Sequence, residues 1–349
     1  MMMMTQHVLS NGQTHYNRIA GAVIITLTLY LLQLGVFGII RLKMQSHALT
    51  YVPSMLLLAM LSSATPSDVN NITYVSSWWI PVVIFLVWLV IVFIARLAQE
   101  VEDNTRVGLL SRPMWINMLI LSLMMICVAW IGNTNAVSHY RLKAERCLLD
   151  GDLNGALKSG RKSLESDVDL TMIRMYALAR KGELGERLFE YTIIGTSEMM
   201  LPTDSLSTLM LYPVDSLYRF IGARPAGKMT PMRYLELVQK KDSLPNKVVN
   251  DYLLCGYLID RQIDRFASEV GKYYTINDSL PKHYREALTL YTHLRAHPVI
   301  VYHQAVMDED YNNFQTLEKQ YPQLKERMIK VKEQYQGTYW YYYKYEKPY

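Results

Sequence analysis

The chain has 349 residues, 36 Lys/Arg against 31 Asp/Glu, a formal charge of +5 and three cysteines. That length admits two domains, and three cysteines without a Cys-x-x-Cys pair or a Cys/His cluster exclude a structural zinc site. Residues 1–135 hold six basic and four acidic residues, and the remainder holds 30 and 27 with the signs mixed, a solvated surface rather than the one-sided basic footprint of a nucleic-acid binder.

Chain order begins with a polar tail, residues 1–18. Ile19–Ile40 is then almost wholly apolar, with Gln33 the one polar side chain of note. A crossing helix needs about 20 apolar residues for a hydrocarbon core about 30 Å thick, so this segment reads as an uncleaved span. Tyr51–Ala64 is ambiguous. Its clean apolar stretch, Met55–Leu61, is too short to cross. Extended back to Met44 it reaches spanning length but takes in Gln45, His47 and Pro53. A short span over residues 44–64 is favoured over a re-entrant hairpin or an interfacial helix.

Trp78–Ala95 is the next span, with Trp78 and Trp79 as interfacial anchors and Pro81 in the first turn. Met114–Gly132 is the last, entered at Pro113 and Trp115 and left at Trp130. Asn117 and Ser122 within it are expected to pack against neighbouring helices.

Basic residues near span ends mark the cytoplasmic side. The loop Arg96–Pro113 carries Arg96, Arg106 and Arg112, and the loop Thr65–Ser77 carries none. Trp78–Ala95 therefore runs inward and Met114–Gly132 outward, leaving everything after Gly132 outside. With residues 44–64 also spanning, Arg41 and Lys43 fall inside too. That agreement favours four spans over three.

The polar part, residues 133–334, shows helical periodicity and no useful strand alternation. Tyr140, Ala144, Cys147 and Leu148 form one stripe, Gly151-Asp152 breaks the chain, and Ala156, Leu157, Gly160, Ser163 and Leu164 lie on a second helix reaching toward Asp167. Small residues at Gly151, Ala156, Gly160 and Ser163 resemble a tetratricopeptide repeat, in which a tight turn lets two helices approach closely. Val168 departs from that pattern where proline is usual, and Lys143 where leucine is usual.

A second pair is expected at Leu170–Lys181 and Leu184–Tyr191, and a third at Lys247–Leu258 and Gln262–Tyr273. Single helices follow at Lys282–Leu294, Asn312–Tyr321 and Pro322–Tyr335. Met199–Pro245 reads as short helices with long connections. The fold class is all-α: transmembrane helices followed by an irregular tetratricopeptide-like α-solenoid or a helical bundle.

Residues 335–349 hold seven of the 26 tyrosines. A helix whose Tyr335, Tyr339 and Tyr342 cap the last repeat is favoured over an exposed aromatic surface. Cys147 and Cys255 read as two free thiols ahead of a disulfide.

No catalytic constellation is present. His283, His293, His297 and His303 lack metal spacing and read as solvated or hydrogen-bonded. Asp308-Glu309-Asp310 suits the start of a helix. The spans hold no ionised residue on which a proton relay could run. No catalytic, cofactor-binding or metal residue is assigned, and no cofactor is expected.

Gly182–Tyr191, Leu280–Leu288 and Thr338–Tyr343 resemble segments of an uncharacterised Bacteroidota family of multi-pass inner-membrane proteins, a domain of unknown function. The resemblance implies a Gram-negative inner membrane, a periplasmic helical domain and no activity. Two functions follow from the whole reading. One is an extracytoplasmic protein-interaction or scaffold module whose partners are the bilayer and a protein. The other is a membrane enzyme or transport component acting on a lipid-linked or small-molecule substrate. The second needs Gln33, His47, Asn117 and Ser122 to converge.

Overall fold

The computed structural model describes residues 18–62, 79–98, 111–132, 134–203, 207–222, 224–225, 227–241 and 246–346. The loops expected around residues 65–77 and 99–110, with Arg106, lie outside them. The described residues are all-helical, with one isolated bridge between Thr203 and Ser207. The chain falls into two compact units, Met1–Ser138 and His139–Tyr349.

The first unit holds α1 (Arg18–Ile40), a 3-10 helix (Met44–Tyr51) running directly into α2 (Val52–Ser62), α3 (Trp79–Ala98) and α4 (Arg112–Ile131). The helices α1, α3 and α4 are each long and apolar enough to cross a membrane. Their surfaces are oil: Ile19, Phe93, Leu119 and Trp130 stand 64% exposed or more. Water would oppose such exposure, and hydrocarbon does not.

The Met44–Ser62 segment is the centre of this unit. Its α-helical part, 11 residues, is shorter than a crossing needs. It packs on α1, α3 and α4. The Ala48 amide donates to Asn117 of α4 at 2.7 Å, and Ser62 lies beside Gly132 at the far end of α4. The segment therefore runs parallel to α4 over its length. It runs antiparallel to α1, because Thr50 meets Gln33 and Ser54 meets Leu29. Eight 3-10 residues at about 2.0 Å and eleven α residues at about 1.5 Å add to roughly 32 Å, close to the bilayer core.

The second unit begins within α5 (Ala136–Leu149). Next come α6 (Leu153–Lys158), α7 (Val168–Lys181) and α8 (Leu184–Arg187), the last continued by a 3-10 turn (Leu188–Glu190). A 3-10 turn (Ser197–Met199), α9 (Val214–Ile221) and α10 (Pro231–Lys241) occupy the stretch expected to be irregular. Then follow α11 (Lys247–Ile259), α12 (Ile263–Tyr273), α13 (Lys282–Leu294), α14 (Ala305–Gln320), α15 (Leu324–Tyr335) and α16 (Tyr339–Tyr345).

The expected elements from α11 to α13 lie within a residue or so of the observed ones. The second helices of the first two pairs are shorter than expected. Instead of reaching Asp167, α6 ends at Lys158, because Gly160 turns left-handed (φ +65) directly beneath the Tyr140 ring. A Cβ there would sit 2.7 Å from that ring. The buried Arg174 guanidinium then takes the Ser159 carbonyl at 3.1 Å. At its other end, α14 starts seven residues earlier than its apolar stripe suggested.

Three helices of this unit end alike. At α5, α7 and α11 a left-handed residue follows the last turn, and the next amide bonds back five residues: Asp152 to Cys147, Glu183 to Leu178 and Gln262 to Tyr257. This is the Schellman closure, in which glycine costs least. Gly151 and Gly182 supply it twice. In the third the residue is Arg261 (φ 56), whose side chain has a separate task described below.

The tyrosine-rich tail divides at Gly337 (φ +93). Tyr335 ends α15, and α16 buries Tyr339, Trp340, Tyr341 and Tyr342. Trp340 packs between Tyr311 and Phe314 of α14 and donates its indole N–H to the Glu286 carbonyl at 2.8 Å. Tyr339, Tyr341 and Tyr342 thus form core, while Tyr335, Tyr343 and Tyr345 are half-buried. Trp340→Ala should cost about 3–5 kcal/mol and lower the thermal unfolding midpoint of the detergent-solubilised chain. An unchanged midpoint would mean that α16 is peripheral.

Candidate functional site

The polar side chains of the first unit gather on the 3-10 helix. Gln33 donates to Thr50 Oγ1 at 3.2 Å, and Thr50 donates to the His47 carbonyl at 2.8 Å. Trp88 donates its indole N–H to the Leu49 carbonyl at 2.9 Å. Asn117 accepts from Ala48 and donates to the Pro113 carbonyl at 2.8 Å. His47 packs edge-on between Phe37 and Tyr51. Three of the four polar span residues therefore converge, while Ser122 faces outward, exposed. Gln33 and Asn117 bond to Thr50 and to backbone. A 3-10 run of eight residues has poor internal geometry, and lipid supplies no partners for backbone groups.

The second unit contains buried charge clusters that sequence reading did not single out. Arg141 and Glu145 of α5 are 2% and 0% exposed. Arg141 binds Glu145, Asp169 of α7 and the Thr208 carbonyl. Glu145 accepts the amides of Met210, Leu211 and Tyr212, the first and last at 2.9 and 3.0 Å. Burial pushes the Glu145 carboxyl up, against the pull of Arg141 and these three amides. Asp169 accepts the Thr208 amide at 2.7 Å. The network clamps the stretch 208–212 onto two helices.

A second cluster surrounds Asp251 of α11. Tyr274 and Tyr284 both donate to its Oδ1, at 2.6 and 2.9 Å. Cys255, one turn on, lies 3.5 Å from the Tyr284 hydroxyl. Burial raises the Asp251 carboxyl and raises the Cys255 thiol further. A thiol held protonated is a poor nucleophile. Cys147 and Cys255 are separate free thiols, the second fully buried.

The third cluster joins α13 to α16. His283 Nε2 accepts the Phe189 amide at 3.2 Å, which puts the ring proton on Nδ1, 2.8 Å from Glu286. Glu286 also accepts the Tyr339 amide at 2.7 Å. Arg261 reaches the Tyr342 and Glu346 carbonyls at the end of α16 and stacks on the Tyr342 ring. A left-handed non-glycine costs about 1–2 kcal/mol; here it aims a cation at the orphan carbonyls of a helix C-terminus.

The remaining histidines are more open. His293 and His303 approach Asp308 from two sides, at 4.0 and 3.3 Å, and His297 is exposed. Among the described residues no group of three or more His, Cys, Asp or Glu is arranged to hold a metal. Asp308 stands in the first turn of α14, as its acidic run suggested. Asn277 accepts from the Ser279 amide and hydroxyl and so closes a local turn.

One signal could have found the buried carboxylates. Glu145, Asp251 and Glu286 each stand within the apolar face of a helix, where an unpaired acid would be costly.

A family of unknown function, DUF6057, matches residues 231–346. The match begins at α10 and ends just past α16, so it contains the Glu286–α16 junction and Arg261. No curated protein and no solved structure matches the chain.

Two outcomes test these clusters. Glu145→Ala leaves Arg141 and three amides without their shared acceptor and should cost about 3–5 kcal/mol in chemical unfolding. Glu346 gives a pH signature. Burial raises its carboxyl from 4.5 to about 7, partly offset by Arg261 and Lys332. The folded chain therefore holds an extra proton between these values. The contribution to stability is complete below about 4.5 and is lost as pH rises through about 7. Glu346→Gln should remove that dependence, read as thermal midpoints at pH 5 and 8. Equal pH dependence in both proteins would refute the assignment.

Proposed function

We propose that this chain is a membrane-anchored, tetratricopeptide-like helical protein that docks a protein partner outside the cytoplasm, as a scaffold rather than an enzyme. The observation that carries the reading is the closure of its buried charges. Arg141–Glu145–Asp169, Asp251–Tyr274–Tyr284 and His283–Glu286 all hold one segment to another. Large apolar side chains meanwhile stand on the helical surface: Val299 is 83% exposed, Val306 64% and Ile329 58%. Apolar exposure of that kind suits recognition by contact.

Four spans with the helical part outside fit the charge pattern. The parallel pairing of Met44–Ser62 with α4 puts Lys43 and Arg112 at one end of that pair, as a shared cytoplasmic end requires. The family resemblance adds a Gram-negative inner membrane and a periplasmic location.

A reporter active only outside the cytoplasm, fused after Tyr349, should be active; activity from a cytoplasm-only reporter would overturn the orientation. For docking, a photo-crosslinking residue at Val299 or Ile329 should give one discrete adduct in native membranes. Absence of any adduct at both positions would sink the scaffold reading.

A further inference from the structure

The mixing of charge in the polar part fails at one place. Between Arg219 and Lys241 stand six cations, Arg219, Arg224, Lys228, Arg233, Lys240 and Lys241, against one carboxylate, Glu236. The rest of the chain beyond residue 135 holds 24 basic and 26 acidic residues. The whole positive excess of this part therefore sits in one stretch of 23 residues, and all six cations are exposed, Arg224 pairing in solvent with Asp215 of α9 at 2.9 Å.

The helix α10 organises this charge. Its inner face buries Pro231, Tyr234 and Leu235, with Tyr234 edge-on to Tyr218 of α9 and Met232 lying against Gly256 of α11. At 100° per residue the opposite face carries Arg233, Glu236, Leu237 and Lys240, with Lys241 on its flank. Leu237 is 40% exposed in the middle of that stripe. Arg233 meets Glu236 only at 3.5 Å and in solvent, a pair of little strength. Lysines in a last helical turn also complement the helix dipole. Arg219 likewise stands in the last turn of α9, but the dipoles account for neither Arg224 and Lys228, which lie between the two helices, nor for an exposed leucine between cations.

We propose that the outer face of α10, with the flanking cations, docks on anionic phospholipid headgroups of the bilayer in which the chain is embedded. Charge complementarity selects the occupant. A leucine flanked by long basic side chains is the pattern of an interfacial helix, its apolar tip in the headgroup layer and its cations on phosphates. The proposal rests on the reading of α1, α3 and α4 as spans, and it is independent of any protein partner.

The test uses the full chain in nanodiscs, with Cys127 and Cys147 replaced by serine and the buried Cys255 left in place. Leu237→Cys carries an environment-sensitive dye, and the lipids carry headgroup nitroxide quenchers. Quenching should appear in discs containing phosphatidylglycerol and be weak in phosphatidylcholine alone. It should disappear at about 1 M salt, where the screening length is about 3 Å. Lys240→Glu with Lys241→Glu should lower the docked-to-free ratio at least about 30-fold, since each cation near such a surface contributes about 1 kcal/mol. Equal dye intensity in both lipids would overturn the proposal. So would a dye shift without nitroxide quenching, which would assign the face to an acidic protein or to a second copy. A dye at Leu27→Cys, midway along α1, must be quenched in both lipids when the nitroxides are placed on the acyl chains instead; its failure would refute the spans themselves rather than this face.

Discussion

Backbone outside a helix has to find hydrogen-bond partners, and in this chain side chains on helices supply them. Glu145 takes three consecutive amides from the stretch before α9, and Asp169 takes a fourth. Asp260 takes the Ser197 amide, Glu186 the Lys282 amide and Glu286 the Tyr339 amide. The apolar unit obeys the same rule with neutral groups: Asn117 serves the Ala48 amide and Trp88 the Leu49 carbonyl. A buried amide left alone costs about 1–3 kcal/mol. These bonds therefore decide which irregular segments can lie inside the fold at all.

The same economy sets what the buried carboxylates bind. A carboxylate that binds two or three amides and an arginine has little capacity left for a substrate. Glu145 is in that state, and Glu286 is occupied by the Tyr339 amide, the His283 ring and Lys282. Asp251 is different in kind, since its carboxylate accepts from two tyrosine hydroxyls, and burial keeps it and the neighbouring Cys255 thiol toward their neutral forms, against the pull of those hydroxyls and of Lys247 on the carboxyl. Exposed apolar and cationic side chains stand elsewhere: Val299 and Val301, Ile329 on α15 and the outer face of α10.

The C-terminal block also depends on partners that precede it. Phe189, just after α8, packs on His283, Tyr339 and Tyr342, and Gly185 leaves room for the Tyr284 ring, which a Cβ would meet at 2.5 Å. The segment matched to the family of unknown function thus closes upon residues 184–190, outside the match. Arg261 shows the trade involved. Its left-handed backbone is unfavourable for arginine, yet it sets the guanidinium against the last carbonyls of α16.

Composition and local chemistry determined much by themselves. The three long apolar helices follow from residue type and length. The ends of α5 and α7 follow from Gly151 and Gly182, and α13 follows from Pro281 and its apolar stripe. These are properties of a few neighbouring residues, so a sequence displays them. Tertiary structure alone decided the rest. It made Met44–Tyr51 a 3-10 helix served by Gln33, Asn117 and Trp88, cut α6 short beneath Tyr140, and seated Trp340 on Tyr311 and Phe314 with its neighbour Tyr339 bonded to Glu286. Each of those outcomes rests on a bond or contact between residues 17 to 69 positions apart, and local pattern carries no information about such distant partners.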